Sequence, residues 1–144
     1  MGSTAQTPLL GGSPEQREAF RKYTIAFSTS DFESIRQYFN DDIRLELGDV
    51  ATLEGIEAFI EFYRNQAKTI RETLTINHVV ADEGGIVADI NARFTATADP
   101  TPDSMFQLEK GKSIEGRFFV YYLLRDGKMY NIKVATVEEA QPVT

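Results

Sequence analysis

Three amphipathic helical stretches crowd into the first seventy residues of this chain, and four strand-like runs fill the remainder. Helices and strands segregated in this way point to an α+β domain in which the helices cover one face of a sheet. At 144 residues the chain has the length of one domain and can bury most of the surface its unfolded form would expose.

The local signals agree with that order. Ser13-Pro14-Glu15-Gln16 reads as a capping box with proline in the first helical position, and Ala19, Phe20, Tyr23, Ala26 and Phe27 recur at steps of three and four behind it. Ser30-Asp31-Phe32-Glu33 reads as a second capping box, opening a short helix with Phe32, Ile35, Tyr38 and Phe39 on one face. Ile43, Leu45 and Leu47 then alternate with Arg44 and Glu46, the period of a half-buried strand. After Thr52 a third helix carries Ile56, Phe59, Ile60, Tyr63 and Ala67 on one stripe.

From about Arg71 the period changes to two. Leu74, Ile76, His78 and Val80 are predicted to share one side of a strand that ends at Asp82-Glu83-Gly84-Gly85. Ala88, Ile90, Ala92 and Phe94 alternate cleanly with Asp89, Asn91, Arg93 and Thr95 in the next strand. The connection that follows, residues 99–112, holds Met105, Phe106 and Leu108, unusually apolar for a loop, so it either covers a pocket or meets a partner. Two final strands form a hairpin about Asp126-Gly127. Phe118 to Leu124 is apolar on both faces, which predicts a sheet packed on a second subunit and hence a homodimer.

Composition removes several functions. Without cysteine the chain has no disulfide framework and no thiolate metal site, which fits a reducing, cytoplasmic setting. His78 is the single histidine, so no metal is expected. The net charge of −7 and the lack of any basic run argue against nucleic acid and anionic membranes as partners. No apolar run reaches the roughly 20 residues that span a bilayer. Residues 1–12 show no secretory pattern and are expected to be a disordered lead, with the domain at 13–138 and a tail at 139–144.

Arg21-Lys22-Tyr23-Thr24-Ile25-Ala26-Phe27, Ser30-Asp31-Phe32-Glu33, Tyr38-Phe39-Asn40-Asp41-Asp42 and Leu53-Glu54-Gly55-Ile56-Glu57-Ala58-Phe59 together resemble the nuclear transport factor 2-like superfamily. The SnoaL-like polyketide cyclases and the ketosteroid isomerases are the most similar branches. The resemblance implies a cone, in which a curved mixed or antiparallel sheet wraps around the N-terminal helices and encloses an apolar pocket. It also implies acid–base chemistry without a cofactor on a small hydrophobic molecule of polyketide, steroid or aromatic type, as an isomerase, cyclase, dehydratase or lyase. A non-catalytic ligand-binding or dimeric scaffolding module is the alternative the same fold implies.

Carried over residue by residue, the isomerase site places its oxyanion-donating tyrosine on Tyr23. Its general-base aspartate falls on Leu47, with Asp49 two residues on at the same strand parity, and its second donor falls near Val120. The acid set of the epoxide hydrolase branch would fall on Arg93, Asn91 and Val134, so that chemistry is not implied.

Tyr23, Asp49 and His78 are therefore the candidate catalytic residues. Phe27, Leu47, Phe59, Tyr63, Ile90, Phe118, Val120, Tyr122 and Tyr130 are the candidate pocket residues. Each has a plainer reading. Asp49 suits an exposed turn after Gly48, His78 suits a satisfied core histidine, and tyrosines fill cores well.

Overall fold

A computed structural model describes residues 9–143. Helix α1 (Pro14–Ser28) starts as the capping box requires: Ser13 Oγ accepts from the Gln16 N–H at 3.2 Å, and Gln16 Oε1 accepts from the Ser13 N–H at 3.0 Å. Helix α2 (Phe32–Ile35) is shorter than its pattern and passes through a 3₁₀ turn at Arg36–Tyr38 directly into strand β1 (Phe39–Leu47). Its cap is Asp31 and not Ser30: Asp31 Oδ1 accepts from the Ser34 N–H at 3.2 Å, while Ser30 takes a left-handed φ of 58° to turn the chain. A four-residue strand, β2 (Ala51–Glu54), pairs back onto β1 before α3 (Ile56–Gln66). Too short to show a period, β2 leaves no alternation to read in the sequence.

Strands β3 (Ile70–Asp82), β4 (Gly85–Ala96), β5 (Ser113–Arg125) and β6 (Lys128–Pro142) complete a curved, unclosed sheet of six strands in the order β2-β1-β6-β5-β4-β3. The β1–β6 pair is parallel and the others are antiparallel, so the sheet is mixed. Asp126 and Gly127, at φ 54° and 79°, make the tight β5–β6 turn. The three helices pack on the inner face, where Phe20, Ile35, Phe59 and Ile60 meet Ile43, Leu45, Ile86, Ile90 and Ile132 in one buried cluster. Each such side chain contributes about 1.5–3 kcal/mol on burial.

The domain extends further in both directions than expected. Leu10 is buried and its N–H donates to the Gly127 carbonyl at 2.7 Å, so residues 9–12 belong to the domain, while residues 1–8 of the expected lead lie outside the described residues. Residues 139–142 are the end of β6 and not a tail.

Two β-bulges decide which side chains face inward. Ile76 pairs with Ile90 and His78 with Asp89, leaving Asn77 as an extra residue in β3. Parity therefore reverses: Ile76 packs on the core, but Val79 and Ala81 follow it inward while His78 and Val80 turn to solvent. In β6, Leu123 pairs with Asn131 and Leu124 with Met129, so Tyr130 is the extra residue. Met129 takes the inward place, and the Tyr130 ring lies 4.8 Å from the Arg125 guanidinium instead.

Candidate functional site

The space between the helices and the inner sheet face is a cavity of about 580 Å³. Helix α1 supplies Tyr23 and Phe27, one turn apart, and α3 supplies Phe59, Tyr63 and Gln66 from its apolar stripe. The sheet adds Leu45 and Leu47 from β1, Glu72 and Leu74 from β3, Ile90, Ala92 and Phe94 from β4, Phe118, Val120 and Tyr122 from β5, and Ile132 and Val134 from β6. Met105 and Phe106 of the apolar connection close one end; the Phe106 and Phe94 rings sit 4.6 Å apart and join a satellite cluster with Ile70 and Ala96.

Within this apolar space one carboxyl, that of Glu72, comes from the middle of the inward row of β3. Gln66 Nε2, at the end of α3, donates to Glu72 Oε1 at 2.9 Å. Burial pushes the Glu72 carboxyl up to about 7, against the opposing effect of that hydrogen bond, so near neutrality it can both take and return a proton. Its surroundings explain the shift: Tyr23, Tyr63 and Tyr122 share the cavity with it, and no Lys, Arg or His lines the cavity among the described residues. On its other side Glu72 borders a second space of about 10 Å³ beside Phe27, Ser30 and Gln66, which is water-sized.

Three phenols share the cavity with this carboxyl. Desolvation holds the Tyr23 and Tyr63 hydroxyls well above their ordinary value, with neighbouring phenols and the Glu72 charge adding to it, and Tyr122 is raised by desolvation and the Glu72 charge. All three stay protonated as donors. Tyr23 is fixed by its neighbours: its ring is 5.5 Å from Tyr38, 5.7 Å from Phe39 and 6.1 Å from Tyr122, each edge-on. Among the described residues no protein group bonds to any of the three hydroxyls, and Asn131 Oδ1 is the one fully buried side-chain atom without a partner, so the hydroxyls open onto the cavity.

Most of the expected pocket residues line this space: Phe27, Leu47, Phe59, Tyr63, Ile90, Phe118, Val120 and Tyr122 do so, as does Tyr23. Asp49 lies on the rim, exposed in the turn after β1. His78 and Tyr130 do not line it; the bulges at Asn77 and at Tyr130 carry both out of the inward row. Glu72 and Gln66 were not among the sequence candidates. The available signal was parity, because Glu72 stands two residues before Leu74 and four before Ile76, a carboxylate on an apolar stripe.

Comparison with known proteins fits this architecture. A model of the SnoaL-like domain matches residues 18–132. A Xanthomonas campestris protein provisionally assigned as a polyketide cyclase superposes with a TM-score of 0.71 at 17% identity, over 82% of this chain and 87% of its own. An NTF2-like protein of unknown function from Burkholderia pseudomallei gives 0.67 at 18% identity, over 83% and 88%. An LEH-like epoxide hydrolase from M. tuberculosis gives 0.66 at 12% identity, over 81% and 78%. No curated protein sequence matches the chain significantly. At these identities the structural likenesses speak for the fold alone, whereas the family match runs from α1 into β6, across the helices and strands that build the cavity: the chain belongs to the SnoaL-like domain family, on an NTF2-like fold.

Proposed function

We propose that the protein catalyses proton transfer on a small hydrophobic carbonyl compound, with its own side chains as acid and base. One observation carries the reading: a half-buried carboxyl, raised by burial to near neutrality, that shares an apolar cavity with three unpartnered phenol hydroxyls. Ionised Glu72 takes a proton from the carbon beside the carbonyl, and the electron pair moves onto the oxygen. A phenol hydroxyl donates to that oxygen as its charge develops, where low dielectric makes the hydrogen bond count most. Protonated Glu72 then returns the proton at the far carbon of a conjugated enolate, or the enolate attacks a second carbonyl of the same molecule and the alkoxide that forms takes the proton back from Glu72; these outcomes are an isomerisation and a cyclisation. The exposed Asp49 shapes the rim and does not serve as the base.

The test is solvent exchange. Incubating a panel of aryl ketones and polycarbonyl aromatics in deuterated buffer should show enzyme-dependent deuterium uptake beside the carbonyl by NMR. Panel members that bind but never exchange would leave the cavity as a ligand carrier only. The absence of cysteine supports a cytoplasmic setting for such a reaction.

We also propose a homodimer. On the outer sheet face Val80, Val87 and Tyr121 are directly paired across β3, β4 and β5, and Phe119 lies opposite Asp89 in the next row. Exposures of 60% for Val80, 45% for Phe119 and 42% for Tyr121 leave a contiguous apolar patch that a second copy would cover. Light scattering is expected to give twice the chain mass for the wild type and one chain mass for Phe119→Glu/Tyr121→Glu. A monomeric wild type would refute this assignment.

A further inference from the structure

Every charged group on the cavity lining carries the same sign. Asp49, Glu72 and Glu139 line it, and among the described residues no cation does, although the chain has 15 Lys and Arg. Two of the three carboxylates, Asp49 and Glu139, are exposed at the cavity rim. Strands β1 and β6 run parallel with Leu47 opposite Val134, so the turn holding Asp49 follows β1 in the direction in which β6 continues to Glu139.

Unlike much of the protein's acid surface, these two groups are unpaired. Glu18, Asp42, Glu54, Glu57, Asp89 and Glu115 each meet an arginine, whereas neither Asp49 nor Glu139 has an ion-pair partner among the described residues. The inner end independently asks for a ligand. Tyr23 and Tyr122 are 2% and 4% exposed, and their unpartnered hydroxyls open onto the cavity. Such donors need an acceptor oxygen. Aromatic ring faces between the two ends, with their negative quadrupoles, add to the preference for positive charge.

We propose that the cavity selects a hydrophobic molecule with an acceptor oxygen at its inner end and a protonated amine at its outer end, the ammonium meeting Asp49 and Glu139, and that it rejects carboxylates and phosphates. This rests on the acid–base reading for the placement of the oxygen, while charge selection is measured by binding alone.

The probes are 2-acetylnaphthalene, its 6-aminomethyl derivative and its 6-carboxylate, one scaffold in three charge states. Calorimetric titration of the full chain at low salt is expected to show the amine binding about tenfold or more tighter than the carboxylate, with the ratio shrinking severalfold at high salt because the rim is exposed. In Asp49→Asn/Glu139→Gln the amine should fall to the affinity of the neutral ketone, whose own binding stays unchanged. Equal affinities, a carboxylate that binds best, binding of none of the three, or a charge order that survives the double variant would each overturn the proposal. A charge order without deuterium exchange removes the acid–base reading and leaves this one standing; exchange without a charge order does the reverse.

Discussion

Glu72→Gln is expected to lower kcat/KM by about 10²–10⁴ on any substrate the protein exchanges, while making the protein more stable at alkaline pH. The two effects share one cause. In the folded chain burial raises the Glu72 carboxyl from an ordinary 4.5 to about 7, so between those values the native state holds a proton that the unfolded chain has lost. Stability must then fall as pH rises through that window, and the loss is complete above the folded value. A shift of this size corresponds to about 3 kcal/mol. Glutamine has no charge to desolvate, and its side-chain oxygen can still accept from Gln66. Urea unfolding of both proteins should therefore give equal stabilities near pH 4.5 and a widening advantage for the variant toward about pH 8. Wild-type kcat/KM should rise through about pH 7 as the base ionises. A difference in stability independent of pH would show that the carboxyl is solvated, and the proposed base would be lost with it.

Keeping such a carboxylate costs stability, which is why its position speaks for function. It was legible in principle. Ile70, Glu72, Leu74 and Ile76 form one inward row, and a strand begun at Ile70 would have shown a carboxylate breaking an apolar series. Read from Arg71 onward, the same residue looks like part of a polar approach to the strand.

His78 failed for a different physical reason. Alternation extends through a strand only while every residue is paired, and the extra residue Asn77 moves His78 and Val80 outward and Val79 and Ala81 inward. Nothing in Ile76-Asn77-His78-Val79-Val80 announces that slip, since valines on both sides allow either parity. Tyr130 was misplaced in the same way, with Met129 taking its row. Helix stripes are less exposed to this error: Tyr23, Phe27, Phe59 and Tyr63 all line the cavity as their spacing predicts, because an α-helix has no partner strand whose register can slip.

The phenols offer the second large effect, one that separates chemistry from folding. Tyr23→Phe, Tyr63→Phe and Tyr122→Phe each retain the ring and its edge-on contacts, and each removes a hydroxyl that no protein group partners among the described residues. A normal buried tyrosine loses about 1 kcal/mol with its hydrogen bond. Here the denaturation midpoints should stay within about 0.5 kcal/mol of wild type, since no bond is broken and one desolvated polar group disappears. Activity should respond very differently: the hydroxyl that meets the developing oxyanion is worth about 10²–10³ in kcat. Tyr23 is the strongest candidate, because its ring is held on several sides by Phe20, Phe27, Tyr38, Phe39 and Tyr122 and cannot swing to follow the substrate. If Tyr23 and Tyr122, whose centroids are 6.1 Å apart, serve the same oxygen, the double variant will lose less than the product of the single losses. Asp49→Asn should change kcat by less than about threefold, as expected of a solvated rim group. Should all three phenylalanine variants also stay within about threefold of wild type, no phenol stabilises an oxyanion, and the hydroxyls would serve only to orient a bound molecule.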